Sequence, residues 1–225
     1  MLKKFVIITA GGKGERMLSA TPKQFLLIKN KPILYHAINS FYKYDKSINI
    51  IVTLPKEYIS HWKKLCEKHK IKIKHTIVSG GNTRFHSVKN ALNIIKDDSI
   101  IAIHDGVRPF VSEKLISNIF KVAEKNGNAI PVLLPNESMR EKIGNVNVAV
   151  DRKFFYSVQT PQCFKSAILK KAYEQNFSPS FTDDATVVEQ LGLKIFMVEG
   201  ERENIKITTP LDFDFAKVIF EKNRR

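Results

Sequence analysis

The sequence is poor in cysteine, with only Cys66 and Cys163 among 225 residues. Neither residue belongs to a CxxC pair, so the sequence supports neither a disulfide framework nor a zinc knuckle. The six histidines show no HExxH spacing, which argues against a metal site built from protein side chains alone. We expect both cysteines to be ordinary half-buried thiols.

Long hydrophobic runs are also missing. No apolar stretch approaches the roughly 18 residues that a membrane-spanning helix needs. The run from Phe5 to Thr9 is too short for the core of a signal peptide and leads directly into glycines. Hydrophobic residues still make up 43% of the chain, which is enough for one substantial core. The sequence therefore predicts a single soluble domain over residues 1–225, cytoplasmic and without membrane contact.

Acidic residues are few, because 22 Asp and Glu stand against 37 Lys and Arg and leave a net charge of +15. Such an excess attracts anions such as nucleic acid, anionic lipid or phosphorylated metabolites. One alternative is a nucleic-acid-binding protein without catalysis, which would bind oligonucleotides tightly and in a salt-sensitive way. The sequence shows neither a helix-turn-helix nor the aromatic-rich strands of an RNA-binding module, so we expect no nucleic-acid partner.

Short segments rich in Ile and Val alternate with helical patterns through the first 134 residues. The predicted strands are Phe5–Thr9, Ile48–Leu54, Ile73–Val78, Ile100–His104 and Ala129–Leu134. Runs of this kind are typical of buried parallel strands. Their alternation with helices predicts right-handed βαβ units. We therefore expect an α/β fold, with a Rossmann-like, mainly parallel sheet and helices on both faces.

The pattern loosens over residues 136–162, where short extended pieces carry turn residues such as Gly144-Asn145. We interpret this segment as a β-arm that protrudes from the core. Beyond it, the sequence predicts two helices, a strand and a last helix: Lys165–Gln175, Asp183–Leu191, Lys194–Val198, and a helix with Thr209 as N-cap and Pro210 in its first position.

Ligands of open α/β sheets bind beyond the carboxyl ends of the strands, so the polar segments that follow strands are candidate sites. The first is AGGKGERM, from Ala10 to Met17, followed by Pro22-Lys23-Gln24. Its glycines allow backbone N–H groups to approach phosphate oxygens, and Arg16 and Lys23 add positive charge. The segment matches neither the P-loop nor the dinucleotide fingerprint, since Met17 stands where a third glycine belongs. Alone, it is equally compatible with an ordinary glycine-rich turn.

Two more candidate segments follow predicted strands. GGNTRFHS, from Gly80 to Ser87, begins a helix whose exposed N–H groups would attract an anion, although an ordinary N-cap explains it as well. HDGVRP, from His104 to Pro109, lies at the end of the fourth strand. Its Asp105 can bind a metal ion or a ribose hydroxyl, and its Arg108 can hold a phosphate in a bidentate way. A local ion pair between these two residues is the alternative.

Four polar segments are spread over the later part of the chain: Asp151-Arg152, Thr160-Pro161-Gln162, Thr182-Asp183-Asp184 and Asn204 to Thr208. Any one of them is compatible with ordinary polar residues on the protein surface. Lys206 is the most informative of these residues. If it faces inward from the short extended run around it, it needs an anion.

Together these segments resemble the methylerythritol phosphate cytidylyltransferases of the non-mevalonate isoprenoid pathway, over Ala10 to about Pro210. The motifs stand in the family's order: AGGKGERM, TPKQF, GGNTRFHSV, HDGVRPF, VDR, TPQ, TDDA and EGERENIKIT. The resemblance implies transfer of a cytidylyl group from CTP to 2-C-methyl-D-erythritol 4-phosphate, with release of pyrophosphate. The related ribitol phosphate cytidylyltransferases are the nearest alternative, and a nucleotidyltransferase for another sugar phosphate or base is a further one.

The resemblance also assigns roles to residues. Those that would contact CTP are Ala10, Gly11, Gly12, Gly81, Asn82, Ser87, Asp105 and Gly106. Those that would act in catalysis are Arg16, Lys23, Arg152 and Lys206, the first two by stabilising charge on the triphosphate. Those that would hold the acceptor are Arg108, Ser138, Arg152, Thr182 and Lys206. Mg²⁺ would bridge the phosphates of CTP, with Asp105 as a candidate protein ligand.

The family is homodimeric, so the resemblance implies that the 136–162 arm clasps a partner and that Arg152 completes the partner's site. The chain departs from the family at two places. NESMR stands where the family has a basic residue, Asp-Thr and then a lysine two positions on, although Ser138 keeps the hydroxyl and Arg140 keeps the charge. Gly106-Val107 replaces two alanines, which we expect to change the pocket shape only slightly.

Overall fold

The structure is a computed structural model that describes residues 2–12 and 21–222. Its strands are β1 (Lys3–Thr9), β2 (Leu27–Ile28), β3 (Lys31–Pro32), β4 (Asn49–Leu54), β5 (Thr76–Ser79), β6 (Ser99–Asp105), β7 (Asn128–Leu133), β8 (Met139–Ile143), β9 (Val146–Val150), β10 (Ser157–Val158), β11 (Gln162–Lys165) and β12 (Met197–Glu199). Its α-helices are α1 (Ile33–Tyr44), α2 (Lys56–Lys68), α3 (Arg84–Leu92), α4 (Glu113–Asn126), α5 (Ser166–Tyr173), α6 (Asp184–Glu189) and α7 (Pro210–Lys222).

The central sheet has the order β10-β7-β11-β6-β1-β4-β5, with β12 beside β7. Strands β6, β1, β4 and β5 run parallel to one another, whereas β11 lies antiparallel between β6 and β7. The chain moves outward from β1 to β4 and β5 and then returns to the other side of β1 with β6. This reversal is a topological switch point, which opens a crevice at the carboxyl ends of β1 and β6. The predicted mainly parallel α/β sheet is confirmed.

Side chains of the central strands alternate between two hydrophobic layers, as the period of a β-strand requires. Val6 and Ile8 of β1 belong to the layer formed with α1, α2 and α4. Ile7 belongs to the opposite layer, formed with α3, α5 and α6. Both faces of the sheet are therefore covered by helices, as predicted, and the parallel strands are buried because of it.

The helical faces predicted from spacing are buried in the structure. In α3, Phe85, Val88 and Leu92 are in the core, and Ile95 just beyond the helix is buried as well. Helix α4 is capped at its start by Ser112, whose side chain accepts a hydrogen bond from the Leu115 N–H, and is followed by the left-handed Gly127. The last helix begins as predicted, because the Asp212 N–H donates to Thr209 Oγ1 at 3.3 Å.

Two predicted strands begin later than expected. The strand predicted from Ile73 begins at Thr76, and the carbonyl of Ile73 accepts a hydrogen bond from the ring of His75. The strand predicted from Lys194 begins at Met197, because the side chain of Asn128 bonds to the Lys194 carbonyl and the Phe196 N–H. In both places a side chain forms a hydrogen bond with a backbone group, and that group is then not available to pair with a neighbouring strand.

The two helices predicted after the arm are shorter than expected. The first spans Ser166–Tyr173, because the residues before it belong to β11. The second spans Asp184–Glu189 and begins after Asp183, which is its N-cap and part of a capping box with Thr186. A cap residue lies outside the helix that it closes, so the predicted start was one residue early.

The predicted β-arm is a two-stranded antiparallel hairpin of β8 and β9, which turns at Gly144 with a φ of 59°. Most of its residues are exposed. The excursion is shorter than the predicted 136–162, because β10 pairs with β7 and β11 pairs with β6. We call the segment Met139–Val150 the arm hairpin.

Both cysteines are free thiols, and Cys66 is half-buried as expected. Cys163 is fully buried, so the expectation of a half-buried thiol is wrong there. Burial raises the pKa of the Cys66 thiol to about 11. In the described part of the chain, no helix is long and apolar enough to cross a membrane.

Candidate active site

A cavity of about 330 Å³ opens at the switch point between β1 and β6. Its walls come from three loops that lie far apart in the sequence and from one later extended segment. The residues that line it are Thr9, Ala10, Gly11, Gly12, Lys23, Gln24, Gly81, Asn82, Thr83, Arg84, Ser87, Asp105, Val107 and Lys206. Nine of the predicted site residues are therefore brought together around one cavity.

The first wall is the glycine-bearing loop after β1. The Ala10 N–H donates to the Thr53 carbonyl at 3.0 Å, which continues the sheet pairing past the end of β1. The side chain of Gln24 donates to the Ala10 carbonyl at 2.9 Å and so ties the later 3₁₀ turn to the loop. This places the mostly buried Lys23 beside Gly12. Arg16, predicted to act with Lys23, lies outside the described residues.

The second wall is the loop that leads into α3. The Thr83 side chain caps the helix, and Ser87 Oγ accepts from the Gly81 N–H at 3.1 Å while donating to the Thr83 carbonyl at 3.0 Å. A Cβ atom at Gly81 would stand 2.4 Å from His86 Cβ, so this turn requires glycine. The N-cap expected from the sequence is present, and it also holds the loop against the cavity.

Asp105 lies at the end of β6 and is surrounded by three cations. Its carboxylate is 2.9 Å from Lys206 Nζ, 3.5 Å from Arg108 Nε and 3.7 Å from Arg84 Nε. Burial alone would raise the pKa of this carboxyl, but the attraction of Arg84, Lys206 and Arg108 outweighs it and holds the pKa well below its usual range. Asp105 is thus the anion that an inward-facing Lys206 needs.

The segment that carries Lys206 is anchored by buried amides. Gln159 Nε2 donates to the Glu201 carbonyl at 2.8 Å, and Asn204 Nδ2 donates to the Thr160 carbonyl at 2.8 Å. Arg108 Nη1 donates to the Asn204 carbonyl at 2.7 Å. These bonds fix the backbone before Lys206 beside the end of β6.

Arg84 forms a bidentate ion pair with Asp184, with nitrogen–oxygen distances of 2.9 and 2.6 Å. Asp184 is fully buried and also accepts a hydrogen bond of 2.6 Å from the Tyr173 hydroxyl. Sequence reasoning assigned no role to these three residues. Nothing in the sequence indicates their pairing, because the acid and the arginine stand 100 positions apart.

The chain matches one protein-family model over residues 4–222, and the family is described as 2-C-methyl-D-erythritol 4-phosphate cytidylyltransferase. The chain belongs to this family. A relative of that name from Bacteroides fragilis is 48% identical over 213 residues, which cover 95% of this chain and 97% of the relative. Another, from Azobacteroides pseudotrichonymphae, is 48% identical over 98% of this chain and all of its own length.

Solved structures of the cytidylyltransferase family have the same fold. The 4-diphosphocytidyl-2C-methyl-D-erythritol synthase of Anaerococcus prevotii has a TM-score of 0.83 and 27% identity, and the match covers 98% of this chain and 96% of that one. The 2-C-methyl-D-erythritol 4-phosphate cytidylyltransferase of Thermus thermophilus has a TM-score of 0.78 and 27% identity, over 98% of this chain and all of that one.

Five residues that the family resemblance singled out lie away from the lining of this cavity. Ser138 and Arg152 are exposed near the two ends of the arm hairpin, and Thr182 is exposed before α6. Arg108 lies behind Asp105 and points to Asn204. Gly106 packs beneath the loop, where an added Cβ would stand 3.0 Å from Leu34 Cδ1 and 3.1 Å from Ala10 Cβ.

The cytidylyltransferase cavity offers one carboxylate for a metal ion. Asp105 is the single acidic residue among the lining residues described, and the described ranges contain no group of three or more His, Cys, Asp or Glu side chains that could hold a metal. Mg²⁺ commonly binds through one or two carboxylates together with substrate phosphates. The residues present therefore fit a magnesium ion that arrives with a nucleotide.

Proposed function

We propose that this protein transfers the cytidylyl group of CTP to 2-C-methyl-D-erythritol 4-phosphate and releases pyrophosphate, in isoprenoid precursor biosynthesis. The observation that carries the proposal is the cationic cluster around Asp105, which faces a glycine-walled cavity at the switch point of the sheet. The match to the cytidylyltransferase family over residues 4–222 supports the same reaction. The names of the relatives described above favour methylerythritol phosphate over ribitol phosphate as the acceptor.

CTP is proposed to occupy the space between the first two loops. The residues proposed to surround the base are Ala10, Gly11, Gly81, Asn82 and Ser87, because they line the cavity on these two loops. Asp105 and Gly106 would contact the ribose, and the backbone of Gly12 would approach the triphosphate. Glycine is suited to this work, since the absence of Cβ lets the backbone come close to a ligand.

The reaction is proposed to proceed by in-line attack of the acceptor's phosphate oxygen on the α-phosphorus of CTP. A phosphate monoester is already largely dianionic near neutral pH, since its second pKa is about 6, so the nucleophile needs no general base. The barrier is electrostatic, because two polyanions must meet and charge grows on the departing pyrophosphate. Catalysis then depends on positioning and on fixed cations.

Lys23 and Arg16 are proposed to stabilise the triphosphate charge as it grows. Lys23 is well placed, because it is mostly buried and lines the cavity beside Gly12. A magnesium ion on the CTP phosphates would supply further positive charge, with Asp105 as its protein ligand. Lys206 is proposed to hold the phosphate of the acceptor directly. Arg108, which the family resemblance assigns to the same phosphate, lies behind Asp105 and would contribute through its charge.

The protein is proposed to act as a homodimer in the cytoplasm. Apolar side chains of the arm hairpin and the turn after it are exposed, with Val146 at 64% and Phe154 at 80%. Contiguous exposed apolar surface commonly marks an interaction site. A second copy that covers this surface would also bring its own Arg152, and with it Ser138, toward the neighbouring cavity.

Pyrophosphate release from CTP tests the proposal. The purified protein with Mg²⁺ and CTP should release pyrophosphate rapidly with 2-C-methyl-D-erythritol 4-phosphate and far more slowly with ribitol 5-phosphate. ATP, GTP and UTP should be poor replacements for CTP. Faster turnover with ribitol phosphate would identify the alternative acceptor, whereas equal turnover with another nucleotide would contradict the assignment of CTP.

A further inference from the structure

A buried polar chain connects helices α5 and α6 to the floor of the cavity. The Tyr173 hydroxyl donates to Asp184, both oxygens of Asp184 accept from Arg84, and the Nε of Arg84 faces Asp105. Tyr173 and Asp184 do not line the cavity. They are 2% and 0% exposed, so neither is a surface residue with an incidental partner.

The geometry of this chain fixes Arg84. A bidentate pair between a guanidinium and a carboxylate restricts orientation as well as distance. Burial would lower the pKa of Arg84, but Asp184 and Asp105 outweigh it and raise that pKa, so the guanidinium is a permanent cation. Burial, followed by the charge of Asp184, raises the pKa of Tyr173 well above its usual value, so its hydroxyl keeps the proton that it donates.

The loop that lines the cavity does not depend on this pair for its shape. The Thr83 side chain caps α3, and Ser87 holds both the Gly81 N–H and the Thr83 carbonyl. Weakening the hold on Arg84 therefore leaves the CTP side of the cavity in place. Its effect is exerted through Asp105, the carboxylate that Arg84 faces.

Three cations contact the Asp105 carboxylate, and their side chains differ in how firmly other residues hold them. Arg84 is fixed by Asp184, and Arg108 is fixed by the Asn204 carbonyl. The side chain of Lys206 is 43% exposed and makes the shortest contact with Asp105, at 2.9 Å. An incoming phosphate dianion competes with Asp105 for this ammonium group. Asp105 can release it at low cost only while the two arginines continue to neutralise its charge.

We propose that Tyr173 and Asp184 are positioning residues that hold Arg84 against Asp105, so that Lys206 can leave Asp105 for the phosphate of the acceptor. This inference rests on the proposed function, because it assigns the acceptor's phosphate to Lys206. With Arg84 loosened, Asp105 retains Lys206 more strongly, and the acceptor is captured less well. Asp105 keeps its charge and its place at the end of β6, so its proposed contacts with CTP are affected much less.

Tyr173→Phe tests the inference with the least disturbance, because it removes the hydroxyl and keeps the ring that stacks on Phe85 at 4.7 Å. Loss of one hydrogen bond to a charged group should lower kcat/KM for the acceptor about fivefold, while the Kd of CTP in titration calorimetry changes less than about twofold. Arg84→Lys keeps the charge but cannot bridge two carboxylates, so it should show the same pattern more strongly.

A double-mutant cycle separates positioning from a general loss of structure. In a Lys206→Ala background there is no ammonium group for Asp105 to retain, so Tyr173→Phe should lower kcat/KM for the acceptor by less than about twofold further. A full additional fivefold loss, or a matching loss of CTP affinity in the single variant, would overturn the inference.

Thr186→Val is the matched control, because it removes the hydroxyl that closes the capping box of α6 without touching Arg84 or Asp184. It should lower the melting temperature and leave kcat/KM for the acceptor unchanged. If kcat/KM for the acceptor fell equally in this control, a less stable α6 would be enough to explain the effect of Tyr173→Phe. The inference would then be refuted. Wild-type protein that does not turn over the acceptor at all would instead refute the proposed function, and the inference with it.

Discussion

Lys206 Nζ lies 2.9 Å from Asp105 Oδ2, although the two residues stand on different segments, 101 positions apart in the chain. The pair occupies the edge of the sheet where a crevice forms between β1 and β6. A carboxylate that already has two arginines beside it does not need the lysine for its own stability. The excess of positive charge is therefore available to anionic ligands, which is the property that a reaction between two phosphorylated substrates requires.

Lys206→Ala should impair capture of the acceptor and leave CTP binding nearly intact. The remaining cations, Arg84 and Arg108, still neutralise Asp105, so the CTP side of the cavity keeps its geometry. Calorimetric titration of the variant with CTP and with the acceptor measures the two affinities separately, and so tests whether Lys206 serves the acceptor alone. Weakened CTP binding together with normal acceptor binding would reject this role.

Lys23→Ala should lower turnover by roughly a hundredfold, the scale on which one preorganised donor stabilises a charged transition state. Lys64→Ala, on the exposed face of α2, is the matched control for loss of one positive charge and should keep normal turnover. The family resemblance predicts the same loss for Arg16→Ala. Near-normal pyrophosphate release from folded Lys23→Ala would contradict the role assigned to this lysine.

Gly81→Ala should weaken CTP binding and lower the melting temperature, because the added Cβ would stand 2.4 Å from His86 Cβ and 3.1 Å from the His86 backbone carbonyl carbon. The loop must then move away from His86, which disturbs the hydrogen bond from the Gly81 N–H to Ser87. At Gly12 the same substitution places a Cβ 3.7 Å from Lys23 Cε, an ordinary contact, so Gly12→Ala should keep the wild-type melting temperature. Equal melting temperatures for both variants would show that the turn at Gly81 tolerates a side chain.

The free energy of unfolding should fall as the pH drops below about 6.5, the ordinary pKa of histidine, and His75 should contribute to the fall. Its Nδ1 donates to the Ile73 carbonyl and its Nε2 accepts from Trp62 Nε1 at 2.9 Å, so the ring is neutral. Burial lowers the pKa of His75, which means that the unfolded chain takes up the proton first as the pH falls.

Denaturant unfolding between pH 7.5 and about 5 measures this contribution. His75→Gln keeps an acceptor for Trp62 and cannot titrate, so its stability should depend less on pH than that of the wild type. Some dependence should persist, because burial also lowers the pKa values of His36 and His104. Identical pH profiles for the two proteins would exclude His75 as a contributor.

Sedimentation velocity should show a dimer for the wild type and a monomer for a Val146→Ser, Phe154→Ser variant. These two side chains are exposed apolar groups of the arm hairpin and the turn after it, so the substitutions should not disturb the core. If Arg152 completes the neighbouring cavity, the monomeric variant should also lose most of its turnover. A monomeric wild type with full activity would contradict both the dimer and the role of Arg152.

The central fold could be predicted from the sequence because its signals are local. Strands β1, β4, β6 and β7 are short and rich in Ile, Val and Ala, and the helical face of α3 follows from its spacing. The predicted starts of two strands were wrong because the side chains of Asn128 and His75 form hydrogen bonds with backbone groups in place of a neighbouring strand. Such a replacement depends on which atoms meet in space and leaves no periodic pattern in the sequence.

By itself, the sequence determined the order of strands and helices, the glycine-bearing loops after them and the family to which the chain belongs. The tertiary structure decided which charges meet: Lys206 with Asp105, and Arg84 with the fully buried Asp184 and Tyr173. The physical reason is range. Hydrophobic periodicity records the burial of each segment separately, whereas an ion pair between distant segments exists only after the sheet has set which strand ends lie side by side.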